Sequence, residues 1–426
     1  MSESRHLWSR ARFGAVGAAL AAACLLIAGC ASPADTLADL RARSEPGAVV
    51  PPPSGPGASA PAAPAAGESP PGPPAAEPAA LPSEGRFATA GASIVDHRGR
   101  PVQFKGVNWF GLETADCAPH GLWARSLDEV MDQIAEEGFT LIRLPFSNQC
   151  LEGVEPSTID TSRNPDLVGL DALELMDAVV AAAAEREISV LLDRHRPGYS
   201  EQSELWYTAD YPEERWIEDW VMLAEHYRDD PTVVGADLHN EPHGDACWGC
   251  GDPDRDWRAA AERAGDAIGE VNPEWLIVVE GVEAQADGTT TWWGGGLADV
   301  RDAPVELQVP GRVVYSAHDY PATVARQDWF DDADYPANLP TLWQERWGYL
   351  VDEGIAPVLM GEFGTEFETE SDRQWLATLV AYLDEREMSY AYWSWNPNSG
   401  DTGGLVAEDW STPERAKLDA LAPLLD

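Results

Sequence analysis

Lysine is almost missing from this chain: among 426 residues it occurs only at Lys105 and Lys417, and arginine supplies the rest of the positive charge. Together Lys and Arg number 28 against 73 Asp and Glu, a formal charge of −45. Nucleic acid and an anionic lipid surface would both repel such a chain, which excludes them as direct partners and leaves neutral substrates open. Codon bias and salt adaptation each account for arginine carrying almost all the positive charge. Cysteine is scarce, at six residues, and no glycine-rich phosphate loop follows the first apolar run, which argues against nucleotide binding. The apolar run from Phe13 to Ile27 is too short and too rich in alanine and glycine for a membrane span. Tryptophan, by contrast, is abundant. Most buried tryptophans fill cores, but a surplus of the size seen here, eighteen residues, suits stacking on the apolar faces of sugar rings.

Arg5, Arg10 and Arg12 precede that apolar run and give it the plan of a signal peptide. Ile27-Ala28-Gly29-Cys30 resembles a bacterial lipobox. The resemblance implies that Cys30 becomes the first mature residue and carries the lipid, that residues 1–29 are removed together with Cys24, and that the protein is exported and held on the outer face of the cell membrane. An ordinary secretion signal with a chance cysteine is the alternative. Residues 30–85 are Pro, Ala, Gly and Ser with few aromatics, a composition that cannot bury enough apolar surface to offset the entropy of ordering. They form a tether whose Pro-rich part, Pro51 to Pro82, would span about 100 Å at most as extended polyproline II.

Composition changes at Arg86, and residues 86–426 read as one catalytic domain. Eight short apolar runs alternate with amphipathic segments: Val102 to Val107, Thr140 to Leu144, Ser189 to Leu192, Val233 to Leu238, Leu276 to Val279, Val313 to Ala317, Pro357 to Met360 and Tyr390 to Trp393. Ser126 with Glu129 makes a capping box, and Leu127, Val130, Met131 and Ile134 recur at helical spacing before Gly138. Leu173 to Glu185, Trp216 to Tyr227, Trp257 to Val271, Leu342 to Val351 and Trp375 to Leu383 carry the same apolar stripe. Such alternation predicts an α/β fold with a parallel sheet, and eight repeats predict a closed (β/α)₈ barrel.

Barrel enzymes keep their chemistry at the carboxyl ends of the strands. In order, those ends offer Asn108 and Trp109, Arg143, Asp193 and His195, Asn240 and Glu241, Glu280 or Glu283, His318 and Tyr320, Glu362, and Trp393 with Trp395. A structural hydrogen bond explains any one of these, but not seven or eight together. Two carboxylates at the fourth and seventh ends, Glu241 and Glu362, suit glycoside hydrolysis, in which one protonates the leaving oxygen while the other attacks the anomeric carbon or activates water.

LHNEPH around Glu241, HDY at His318, GEFG around Glu362 and WSWNPNSGDTGG after Trp393 closely resemble the bacterial family 5 glycoside hydrolases, the cellulase family. GVNWFGLET at Gly106, IRLPF at Ile142, LDRHRP at Leu192 and the Cys247-Trp248-Gly249-Cys250 loop extend the likeness over Arg86 to Asp426, and it looks closest to secreted endo-β-1,4-glucanases of actinobacterial type. The resemblance implies a retaining mechanism with Glu241 as acid and base and Glu362 as nucleophile. It implies that Arg143 and Tyr320 hold Glu362, that His195 and His318 border the cleft, and that Asn240 binds the sugar 2-hydroxyl. Trp393 would be the platform under the reacting ring, and Trp123 and Trp293 match further cleft tryptophans. The partner is a β-glucan, no cofactor or metal is expected, the membrane is reached only through a lipid on Cys30, and the enzyme is expected to be a monomer.

Several alternatives compete. His239, His243, Cys247 and Cys250 could pass for four zinc ligands, but Pro242 breaks any helix that would put both histidines on one face, and an exported chain favours a disulfide. Nothing around the C-x-x-C reads as a thioredoxin unit. A sugar-binding lipoprotein without catalysis would have no reason to keep both glutamates. A β-mannanase or another β-glycan hydrolase on the same barrel stays open, because fold and acid/base pair do not fix the sugar. With Cys24 and Cys30 set aside, four cysteines imply two disulfides. Cys247 with Cys250 matches the family loop. Cys117 with Cys150 departs from it, since the relatives place a cysteine where this chain has Tyr199, but the tips of the first two strands are neighbours.

Overall fold

The computed structural model describes residues 81–200 and 202–425. The signal, Cys24, Cys30 and most of the tether therefore lie outside the described residues. Three short antiparallel strands come first: β1 (Ala88–Ala90), β2 (Ser93–Val95) and β3 (Pro101–Val102). Eight parallel strands then close into a barrel: β4 (Lys105–Asn108), β5 (Leu141–Ser147), β6 (Ser189–Arg196), β7 (Val233–Asp237), β8 (Leu276–Glu280), β9 (Val313–His318), β10 (Val358–Glu362) and β11 (Ser389–Tyr392), with β11 pairing back to β4. Packing begins just before Arg86, because Pro82 is buried and the Ser83 amide donates to Glu274.

The period of two along a strand divides the barrel interior by height. Leu141, Leu191, Leu276, Val278, Val314 and Leu359 point to the axis near the amino ends and form one apolar cluster with Phe104 and Ile94. Ile94 comes from β2, so the small sheet stoppers the base of the barrel. One or two pleats further along the same inward rows stand Arg143, Asp193, Glu280 and His318, each fully buried. The barrel is thus filled with hydrocarbon at one end and with ionisable groups at the other. Ile142, Val190, Ile277 and Val279 face outward into a second core against the helices.

Those helices are α1 (Leu127–Glu136), α2 (Ala172–Ala184), α3 (Glu213–His226), α4 (Trp257–Val271), α5 (Leu339–Trp343), α6 (Tyr349–Asp352), α7 (Glu370–Glu385) and α8 (Arg415–Leu425). The expected capping box is present at Ser126 and Glu129, and Asp171 with Glu174 makes a second one. Two expectations change. The helix expected over Leu342 to Val351 is broken into α5, a π-helical segment Gln344–Gly348 and α6, where a Cβ on Gly348 would meet the Tyr382 hydroxyl at 1.9 Å. Between β8 and β9 the described residues hold no α-helix, only a 3₁₀ turn at Ala298–Arg301. Two disulfides tie the loops above the barrel, Cys117 to Cys150 (Cα–Cα 5.5 Å) and Cys247 to Cys250 (6.0 Å).

Candidate active site

Arg143 is the hub. It is the third residue of β5 rather than its tip, and its guanidinium lies wholly buried on the barrel axis. Its Nε donates to Asp237 Oδ2 at 2.8 Å; Nη1 donates to Glu362 Oε1 at 2.7 Å and Asn108 Oδ1 at 3.0 Å; Nη2 donates to Asn240 Oδ1 at 2.9 Å and Glu280 Oε1 at 3.0 Å. Asp193 Oδ2 completes the ring at 3.1 Å. Burial works against this cation, but Asp193, Asp237, Glu362 and Glu280 outweigh it and hold it charged. The carboxyls bear the cost of crowding. Burial lifts Asp193 to about 6, and Asp237 and Glu280 to about 7, with Arg143 pulling each of them back.

Glu362 ends β10 and takes a second strong bond, from the Tyr320 hydroxyl to Oε2 at 2.7 Å. Burial raises Glu362 above the ordinary carboxylate range, while His318 and Arg143 pull it back. The residue before it must be glycine, because a Cβ on Gly361 would meet Ser316 Oγ at 2.3 Å and His318 Nε2 at 3.1 Å. His318 therefore packs directly against the end of β10 that carries Glu362.

Glu241 lies four residues beyond the end of β7 in a left-handed conformation, φ 53°, which is strained for a residue with a Cβ. Two contacts hold it there. Its amide donates to Glu280 Oε2 at 2.7 Å, and its carbonyl accepts from His243 Nδ1 at 2.6 Å. The side chain meets His318 Nδ1 at 3.0 Å through Oε1 and Gln202 Nε2 at 3.1 Å through Oε2. Burial would raise Glu241, but the His318 hydrogen bond and charge, with Gln202, outweigh it and lower it. His318 itself is driven up by Glu280, Glu362 and Glu241 against its burial. His318 is thus the more basic partner of Glu241, with its Nδ1 at 3.0 Å. One oxygen of Glu241, one of Glu362 and a nitrogen of His318 lie within 4.8 Å of one another.

Both carboxylates open into a cleft of about 610 Å³ lined by His195, Gln202, Trp292, Trp293, Tyr320 and Trp393, among others. His195, lowered by burial to about 3 and so neutral, bonds Asp193 at 2.7 Å and stacks on Trp393 at 5.3 Å. Trp393 is held by its indole N–H on Ser399 Oγ at 3.2 Å. Trp293 stacks on His243 at 3.8 Å. Asn240 leaves its amide Nδ2 buried without a partner, a donor free for a ligand oxygen.

Not every expected residue reaches the cleft wall. Trp109 and Trp395 are core residues, at 0% and 1% exposure. Trp123 is exposed but does not line the cavity; it packs beside His120, which bonds the cleft residue Asn398. His318 lies behind the wall, fully buried. Of the two glutamates offered after β8, Glu280 joins the Arg143 ring and Glu283 lines the cleft. The four zinc candidates do not converge: Cys247 and Cys250 bond each other, His239 meets Arg194 at 2.8 Å, and His243 serves Glu241. Three sets could offer ligand atoms to an ion, namely Asp193, His195 and Glu362; Glu241, His318 and Glu362; and Asp193, Asp237 and Glu280. Arg143 already sits against at least one member of every one of them. Sequence reasoning missed Gln202, which sits in an aperiodic loop, and Asp237, whose signal was visible as a charge inside an otherwise apolar strand.

Residues 95–399 match the family described as cellulase (glycosyl hydrolase family 5). The chain is 52% identical over 347 residues to an endoglucanase of Paenibacillus polymyxa, covering 80% of this chain and 87% of that one. It is 41% identical over 338 residues to the major extracellular endoglucanase of Xanthomonas campestris pv. campestris, covering 78% and 69%. Among solved structures it is similar to the endocellulase of Pyrococcus horikoshii, seen as a glutamate-to-alanine variant with cellotetraose, at TM-score 0.77 and 39% identity over 81% of this chain and 100% of that one. These sources do not bear out the narrower likeness to actinobacterial enzymes.

Proposed function

The chain belongs to glycosyl hydrolase family 5, the cellulases, and from that premise we propose that Glu362 is the nucleophile and Glu241 the general acid and base of a retaining reaction. The enzyme is an endo-β-1,4-glucanase, which cuts internal bonds of cellulose and related β-glucans. One observation carries the choice of retention: oxygens of the two glutamates approach within 4.8 Å. Retaining pairs stand about 5 to 5.5 Å apart, whereas inverting pairs leave about 6.5 to 9.5 Å for a water.

In the first step a Glu362 oxygen bonds to the anomeric carbon, the glycosidic C–O bond breaks, and the proton of Glu241 goes to the leaving oxygen. Substrate that displaces water from Glu241 raises its proton affinity, and His318 supplies the proton across 3.0 Å. In the second step water gives a proton to Glu241, its oxygen bonds to the anomeric carbon, and the bond to Glu362 breaks, restoring the starting configuration. The free Asn240 amide is placed to donate to the sugar 2-hydroxyl, and Trp393 offers a flat apolar face to the ring.

An aryl glycoside with a good leaving group separates the two roles. Glu241→Ala should release a burst of phenol and then stall, with azide restoring turnover, because general acid help, about 10² to 10⁴-fold, is hardly needed for that leaving group. Glu362→Ala should show no burst with any substrate. A burst in Glu362→Ala and none in Glu241→Ala would exchange the roles. Products from carboxymethylcellulose, mixed-linkage glucan and mannan, compared side by side, test glucan against mannan.

Export is supported by the leader sequence and by an extracellular relative. Within that reading the finer proposal is a monomer anchored to the outer membrane face by lipid on Cys30 and carried on the residue 30–85 tether, with the catalytic domain in residues 86–426.

A further inference from the structure

Arg196 stands apart from every other arginine among the described residues. Among the described residues each remaining arginine donates to a carbonyl, carboxylate or side chain, or, as Arg346 does, lies over an aromatic ring. Arg196 has neither, although it ends β6 beside the reacting centre and lines the cleft, and its Nε is buried without a partner. A buried N–H that gives up water without gaining a partner costs free energy in the folded protein. Such a cost is offset where a ligand supplies the acceptor.

The same cleft is lined by Glu113, from the loop after β4. This carboxyl is 2% exposed and spends one oxygen, Oε2, on the Gly111 amide at 2.6 Å. Burial pushes Glu113 up to about 7, and Arg196 is the strongest charge acting against that burial. Yet the two make no ion pair within the 4.0 Å that defines the other bridges of the molecule. Both groups line the same cleft without pairing with each other, so a ligand hydroxyl held between them would find a donor on one side and an acceptor on the other.

We propose that Arg196 and Glu113 form a clamp for a hydroxyl group of the glucan chain, Arg196 donating to the hydroxyl oxygen and Glu113 accepting its proton. The clamp rests on the endoglucanase reading and adds to it a pair of substrate-binding residues outside the reacting set. It acts on bound sugar before and during bond cleavage alike, so its contribution lies in binding rather than in the chemical step.

Arg196 makes no side-chain hydrogen bond in the free enzyme, so Arg196→Met should leave the whole chain folded, which a thermal melt checks, and this separates binding from folding. Cellotetraose is the probe. Arg196→Met should raise KM roughly tenfold or more, as expected for loss of a charge-assisted hydrogen bond, with kcat held, and Arg196→Lys should recover part of the loss. Glu113→Gln, which keeps the bond from Gly111, should raise KM less, and the double variant should cost less than the product of the two singles because both act on one hydroxyl. Titration calorimetry of cellotetraose in a Glu241→Gln background reads the same affinities without turnover. An unchanged affinity in Arg196→Met, or fully multiplicative effects in the double variant, would overturn the clamp. Failure of the unaltered enzyme to cleave cellotetraose would instead overturn the endoglucanase reading.

Discussion

Tyr320 donates one hydrogen bond, 2.7 Å long, and that bond does two things for Glu362. It favours the anion, opposing the burial that raises this carboxyl, and it fixes the direction of the second oxygen while Arg143 fixes the first. Tyr320→Phe removes the donor and keeps the ring. Without that bond the Glu362 pKa must rise further, so the acid limb of kcat/KM should move to higher pH, and kcat should fall roughly 10 to 100-fold. A pH–rate profile checks both, and an acid limb that stays in place would show that Arg143 alone sets the nucleophile. At this scale the site is legible in the sequence where function falls at a strand end, as at Glu362, or just past one, as at Asn240 and Glu241 after β7. It was read poorly where a side chain acts from inside the barrel. Arg143 was placed at a tip, although its reach into the axis comes from standing mid-strand on the inward row.

Among the elements, the eight barrel strands were legible because parallel strands buried on both faces read as short continuous apolar runs. Their carboxyl ends were not, since β5 continues to Ser147 and β6 to Arg196 through polar residues that look like loop until the barrel axis is known. The sheet β1 to β3 escaped notice because strands of two or three residues leave no period to detect. Its Ile94 nonetheless completes the apolar stopper with Phe104. Ile94→Ala should cost about 2 to 4 kcal/mol of unfolding free energy, measured with denaturant, while kcat at 25 °C stays the same because the stopper lies at the opposite end from the cleft. A loss of activity without a loss of stability would mean that the base of the barrel shapes the Arg143 ring.

For the whole molecule, a charge of −45 implies repulsion that added salt screens, with a Debye length of about 8 Å at physiological ionic strength. The midpoint of thermal unfolding should therefore rise as sodium chloride is added. A midpoint that falls would show that local pairs, such as Arg186 with Asp128 and Asp132 or Arg415 with Glu137, outweigh the long-range repulsion. Tethering is a property of this scale as well. Cys30→Ser should release activity from the membrane fraction into the medium, since a diacyl anchor holds where none remains in the variant, and activity that stays with membranes would rule out lipid on that cysteine.

The two lysines have a consequence of a different kind. Lys417 is buried with its amine on the carbonyls of Thr402 and Gly404, and Lys105 donates to the carbonyl of Leu425. Acylating dyes, aldehyde fixatives and amine-coupled sensor surfaces all depend on accessible primary amines, and the folded barrel offers them almost none. Carboxyl-directed coupling is the chemistry that will take hold of this enzyme, and it would have to spare the two glutamates that do the work.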